Sequence, residues 1–152
     1  MRFFYSLAFL FGMDTWKINP TPQEVTDSLK EFSKEQSTIL DLGCGDGGDC
    51  ITLAWLGWQV IGVDFIPLAI RKAQAAVKRA GLSGKAVFHI GDVSRLDKLD
   101  LPVIDFAYDI GCFHLLDAEQ RQTYISGLGN LVRKDGLFLL KAFTPRKQGS
   151  RI

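Results

Sequence analysis

Ile39-Leu40-Asp41-Leu42-Gly43-Cys44-Gly45-Asp46-Gly47-Gly48 decides how this chain of 152 residues is read. An apolar run closes on an acidic residue, glycines recur at every second position, and Asp49-Cys50-Ile51-Thr52-Leu53-Ala54-Trp55-Leu56 continues as a helix-compatible segment. The expected local structure is a strand, a tight glycine turn and a helix. Glycine adopts positive φ at little steric cost and lets a ligand approach bare backbone. The spacing therefore predicts a loop wrapped around a nucleotide-like ligand.

Two ligand classes compete for this loop. Gly43, Gly45 and Gly48 satisfy the G-x-G-x-x-G pattern of dinucleotide binding, whereas Asp41, Gly43, Gly45 and Gly47 satisfy D-x-G-x-G-x-G. Asp64 closes the next apolar run, Gln59-Val60-Ile61-Gly62-Val63, where a carboxylate can hold ribose hydroxyls in either class. Asp41 tips the balance. A carboxylate two residues before the first glycine repels a pyrophosphate and favours an ammonium or sulfonium. A nicotinamide-dependent oxidoreductase remains the competing assignment.

Further along lie Gly57-Trp58-Gln59-Val60-Ile61-Gly62-Val63-Asp64-Phe65, then His89-Ile90-Gly91-Asp92-Val93, then Phe106-Ala107-Tyr108-Asp109-Ile110-Gly111-Cys112-Phe113-His114. With the glycine stretch, these four segments resemble, in order, the motifs of the class I S-adenosyl-L-methionine-dependent methyltransferases. Within that family the chain is most similar to the small-molecule group that includes thiopurine and tellurite-resistance methyltransferases. The resemblance spans roughly residues 12–143 and is specific for the cofactor fold, not for the methyl acceptor.

The resemblance implies a doubly wound, Rossmann-like α/β sheet in the order 3-2-1-4-5 with helices on both faces, and S-adenosyl-L-methionine as cofactor. It places Asp41, Gly43, Cys44 and Gly45 around the amino-acid and sulfonium end, and Asp64 on the ribose. Phe65 packs on adenine, Asp92 accepts from the adenine amino group and the Val93 backbone reads the ring edge. Asp109 and Ile110 lie beside the methyl group. For Phe65 the competing reading is a rim hydrophobe, and for Asp92 an exposed turn aspartate. Methyl transfer is an in-line displacement that depends mainly on alignment, which is worth on the order of 7–11 kcal/mol. A base is needed only for a hydroxyl or protonated amine acceptor, and Asp109 and His114 are the titratable candidates. A capping or packing role competes for His114. Cys112 is not needed as a nucleophile.

A formal charge of +1 with scattered, balanced charges lacks the basic face expected for nucleic-acid binding. One domain is expected: an N-terminal helical cap over 1–36, the Rossmann-like core over 37–143 and a polar tail over 144–152. Three cysteines without metal-ligand spacing indicate free thiols, no metal site and a cytoplasmic location. The apolar run from Phe3 to Phe11 is too short to span a bilayer and reads as a packed helix or as a flap over the cofactor. Trp16, at the hinge of such a flap, is a candidate site residue beside the plain packing alternative.

Thr21-Pro22-Gln23-Glu24 has the form of a capping box opening a helix to about residue 34, and Pro67 opens another to about Ala80. Ala86–Ile90 reads as the third strand. Asp117 with Gln120 caps a helix to about Arg133, and Lys134-Asp135-Gly136 turns into a fifth strand over Leu137–Phe143. Class I methyltransferases usually continue through two further strands, so the chain is expected to be shorter than the family at its C-terminus. Its fifth strand would then be an apolar edge open to pairing with a second copy. The favoured function is methyl transfer to a small molecule. The alternative is a cofactor-binding protein without turnover, its acceptor wall missing.

Overall fold

The apolar run ahead of the glycines forms β1 (Thr38–Leu42), whose last four residues are buried, as in a strand covered on both faces. It lies at the centre of a five-stranded sheet in the order β3-β2-β1-β4-β5, completed by β2 (Gln59–Asp64), β3 (Ala86–Ile90), β4 (Ile104–Ile110) and β5 (Val132–Lys141). Every pairing is parallel. The computed structural model describes residues 21–32 and 37–142. Trp16, the N-terminal apolar run, Phe143 and the 144–152 tail lie outside the described residues.

Among the described residues, α1 (Gln23–Phe32) precedes β1, and α2 (Gly48–Trp55), α3 (Pro67–Arg79) and α4 (Ala118–Leu131) connect β1 to β2, β2 to β3 and β4 to β5. Alternate residues of each strand point to opposite faces, so the sheet has two cores. One joins Ile39, Val60, Phe106 and Tyr108 to Val25 and Leu29 of α1, Leu53 of α2 and Ile70 and Ala73 of α3. The other joins Leu40, Leu42, Val63 and Ile104 to Leu96 of a 3-10 helix (Val93–Lys98) and to Tyr124 and Leu128 of α4. The expected doubly wound architecture and strand order are those observed.

Three local expectations are corrected. Thr21 does not cap α1: its buried hydroxyl lies toward the Asp49 carboxyl, and Glu24 turns outward to Lys141, Oε1 to Nζ 2.6 Å. A tertiary ion pair has taken the side chain that the box needed. Second, α4 ends at Leu131 and strand pairing begins at once, Val132 lying opposite Ile104. The expected turn at Lys134-Asp135-Gly136 is a bulge inside β5, because the next pair is Leu137 with Phe106. Its shape is held from β4: Arg133 Nε lies 3.0 Å from Asp105 Oδ1, and the other oxygen accepts from the Thr38 N–H at 2.7 Å. Third, Gly127 is more than a weak point in α4, since a Cβ there would lie 3.3 Å from the Leu96 Cβ. Its bare Cα lets α4 press onto the 3-10 helix.

Candidate functional site

The glycine loop folds over the end of β2. Gly43 and Cys44 both donate their N–H to the Val63 carbonyl, at 2.8 and 3.1 Å, and Gly47 N–H closes the loop on the Cys44 carbonyl at 2.9 Å. Gly43 and Gly47 have φ near +84° and +79°, a region that disfavours any side chain. Space excludes one as well: a Cβ on Gly47 would lie 2.7 Å from the Phe88 ring, and one on Gly43 would lie 3.0 Å from the Cys112 Cβ. At these two positions the surroundings are too close for a side chain, whereas Gly45 faces open space.

Asp64 ends β2 and locks this loop. Its Oδ2 accepts from Gly45 N–H at 3.0 Å and its Oδ1 from Ile66 N–H at 2.8 Å, so each oxygen keeps lone pairs for further donors. Burial raises its carboxyl above the ordinary range, opposed by the N–H groups of Ile66, Gly45 and Phe65. Phe65 packs beside Ile66 and Ala69.

Asp41 does not stand open beside the loop but is enclosed beneath it, on the α2 face of the sheet. The Cys50 thiol of α2 donates to its Oδ2 at 3.2 Å. Burial pushes its carboxyl up to about 7, opposed by the Tyr108 hydroxyl and the Cys50 thiol and reinforced by the Asp49 and Asp109 carboxylates. Burial also pushes the neighbouring Cys44 thiol up to about 11, which makes it a poor nucleophile.

Asp92 follows β3 and caps the 3-10 helix, its Oδ1 accepting from Ser94 N–H at 3.0 Å and Ser94 Oγ at 2.8 Å. Val93 is buried behind it. Asp109, near the end of β4, is fully buried and points to the α4 face, opposite to Asp41. Both of its oxygens are engaged: Oδ1 accepts from Cys112 N–H at 2.7 Å and Oδ2 from the Tyr124 hydroxyl at 2.8 Å. Burial raises its carboxyl, opposed by those donors, the Phe113 N–H and the nearby His114.

Half-buried His114 lies in a short 3-10 turn (Phe113–Leu115) directly after the β4 end. Its carbonyl accepts from Arg121 Nη2 at 3.3 Å, and the Arg121 guanidinium covers the Phe113 ring 5.1 Å from its centroid. Half-buried Ile110 packs toward the α1–α3 side. Thus the ends of β1, β2, β3 and β4 carry Asp41, Asp64, Asp92 and Asp109, and the glycine loop meets the β4 turn where Gly43 touches Cys112. Sequence reasoning missed Cys50 and Tyr124 as partners of these acids. The available signal was general: a tyrosine on the inward face of a helix needs an acceptor for its hydroxyl. Among the described residues no group of three or more His, Cys, Asp or Glu is arranged to hold a metal ion, and all three cysteines are free thiols.

A parallel sheet in this order, with a bare glycine loop after β1 and an acid closing β2, is a Rossmann-like fold that binds a nucleotide-like ligand at the carboxyl edge of its strands. Residues 39–136 match the family model described as a methyltransferase domain. An uncharacterized methyltransferase of Schizosaccharomyces pombe is 31% identical over 117 residues, which cover 77% of this chain and 79% of the relative. The chain belongs to the methyltransferase domain family, and this displaces the dinucleotide assignment. Among solved structures, TehB from Haemophilus influenzae superposes with a TM-score of 0.70 at 21% identity, covering 81% of this chain and 41% of that one. The glycopeptide N-methyltransferase MtfA, complexed with S-adenosyl-L-methionine, gives 0.67 at 17% identity over 77% of this chain and 52% of that one. The chain thus spans about half the length of these two solved structures.

The cofactor of the family is S-adenosyl-L-methionine, and the residues present fit it. A carboxyl held near 7 by burial is one that an adjacent cation ionises, so Asp41 suits a positively charged ligand. Asp64 retains acceptor capacity for hydroxyls, and the loop that it clasps offers backbone without side chains.

Proposed function

We propose that the chain transfers a methyl group from S-adenosyl-L-methionine to a small-molecule acceptor at the carboxyl edge of the sheet. The observation that carries this reading is the approach of the glycine loop to the β4 turn, where a Cβ on Gly43 would lie 3.0 Å from the Cys112 Cβ, two residues before His114. Gly43, Cys44 and Gly45 would hold the amino-acid and sulfonium end, with Asp41 beneath them. Asp64 would take the ribose hydroxyls, and Phe65, Asp92 and Val93 the adenine. Ile110 would border the methyl group. When bound, the cofactor supplies a methyl carbon activated by the sulfonium.

The chain's own task is then alignment, plus a base where the acceptor carries a proton. Asp109 is ill placed for that, with no exposed surface from which to reach an acceptor. His114, half-buried on the same turn, is the assigned base. The carboxylates around the edge, together with a formal charge of only +1, favour a neutral or cationic acceptor over a nucleic acid. Among the described residues no helix is long and apolar enough to cross a membrane. The free thiols fit a cytoplasmic setting.

Calorimetry with S-adenosylhomocysteine, run beside a methyl-transfer assay on a panel of amines, phenols and thiols, tests the reading. Binding with turnover that falls in His114→Asn supports it. Absence of binding overturns it, and binding without turnover on any acceptor would leave a cofactor-binding protein.

A further inference from the structure

Tyr124 reaches the site from behind, through the sheet's α4 face, and no step assigned so far uses it. Its side chain is fully buried, its ring lying edge-on to Phe113 at 5.4 Å and tilted against Phe138 at 6.2 Å. A phenylalanine would make those same ring contacts. The hydroxyl is therefore a separate feature, and its partner is the Asp109 carboxylate at 2.8 Å. That carboxylate in turn accepts from the Cys112 N–H at 2.7 Å, and Cys112 abuts Gly43. Beyond Cys112, Gly111 N–H donates to the Lys141 carbonyl of β5 at 3.0 Å. One continuous chain of bonds and contacts thus runs from α4 through the end of β4 to the glycine loop.

We propose that Tyr124 is a positioning residue for methyl transfer: its hydroxyl holds the Asp109 carboxylate, and Asp109 holds the Gly111–Leu115 turn in register with the glycine loop. The inference rests on the methyltransferase reading above. A carboxylate with no exposed surface is tolerated only when its oxygens are bonded, and here one bond comes from the turn and one from α4. Removing the hydroxyl leaves one oxygen of a buried anion unpaired, and the turn that shares this anion moves or takes up a proton with it. The effect falls where Ile110 and His114 are carried, without altering any residue that touches the cofactor.

The test is Tyr124→Phe, which keeps the ring. Affinity for S-adenosylhomocysteine is measured by calorimetry from pH 5 to pH 9. A hydrogen bond to a charged group predicts affinity roughly ten- to hundredfold weaker at pH 8. The pH at which affinity falls on acidification should also move upward, because the lost donor favoured ionised Asp109. The groups facing Asp109 are Tyr124 from α4 and Cys112 and His114 from the turn, and the Asp41 carboxyl of β1 influences it from the opposite face of the sheet. In an Asp109→Asn background, removing the Tyr124 hydroxyl should no longer move that midpoint, the acid limb that remains being that of Asp41, whose carboxyl burial pushes up to about 7. Leu128→Ala, one turn further along α4 in the same core, controls for general loosening: it should lower the melting temperature without moving the midpoint.

Wild-type affinity and an unmoved midpoint in Tyr124→Phe would overturn the proposal. So would a shift of equal size in Leu128→Ala. If the wild-type chain retains no S-adenosylhomocysteine, the methyltransferase reading falls first and this inference with it.

Discussion

Asp41 shows how far one side chain departs from what its place in the chain implies. Strand alternation turns it away from Leu40 and Leu42, toward the face where α2 brings Cys50. The residue type and its position before the glycines were legible; its enclosure was not, because that depends on a helix packed above it. Its carboxyl, raised from 3.8 to about 7, keeps its proton in the fold after the unfolded chain has lost its own. Between about pH 4 and pH 7 the fold therefore binds more protons, and stability falls as pH rises through that window. Asp49, Asp64 and Asp109 are raised as well and act in the same direction. Denaturant melts of Asp41→Asn at stepped pH should show a clearly flatter decline than wild type, the difference approaching roughly 3–4 kcal/mol across the window. Asp64 presents a second case at this scale. Asp64→Ala removes the acceptor of both Gly45 and Ile66 N–H, and S-adenosylhomocysteine binding should fall at least about a hundredfold by calorimetry.

Local signals survived into the helices and strands wherever no distant residue competed. Asp117 and Gln120 form the expected reciprocal cap, at 2.9 and 3.0 Å, because both partners lie within one turn. The box at Thr21 failed because Lys141, 117 residues away in sequence, holds Glu24. In the same way the bulge at 133–136 looked like a turn, since Gly136 and its neighbours have turn chemistry and only the pairing with β4 shows otherwise. The two glycines of α4 separate propensity from packing. Gly129 faces open space, so Gly129→Ala should stabilise the fold by about 0.5–1 kcal/mol. Gly127→Ala adds the same helix propensity but drives a methyl to 3.3 Å from Leu96, and thermal melts should show no gain or a loss.

Topology of the molecule as a whole was the most legible property, because the four motifs in their order carry the family resemblance that implies the doubly wound sheet. Least legible were the partners of the acids at the strand ends: Asp64 is held by backbone N–H groups of the loop, whereas Asp109 is held in part by a tyrosine of a distant helix. Among the described residues β5 pairs with β4 alone, and Leu137 and Leu140 are 38% and 40% exposed on it. Such an edge invites a second copy. Light scattering over a concentration series should show reversible association that Leu140→Lys suppresses; a monodisperse monomer at the highest concentration would exclude pairing through this edge.

The clasp between Gly45 and Asp64 also bears on how fast a guest is received. With the cradle already shaped before anything arrives, little chain freedom is surrendered at docking, and the search for a productive pose is short. Stopped-flow traces should therefore be single-exponential, with an observed rate that climbs in proportion to ligand concentration and shows no plateau from a slow rearrangement.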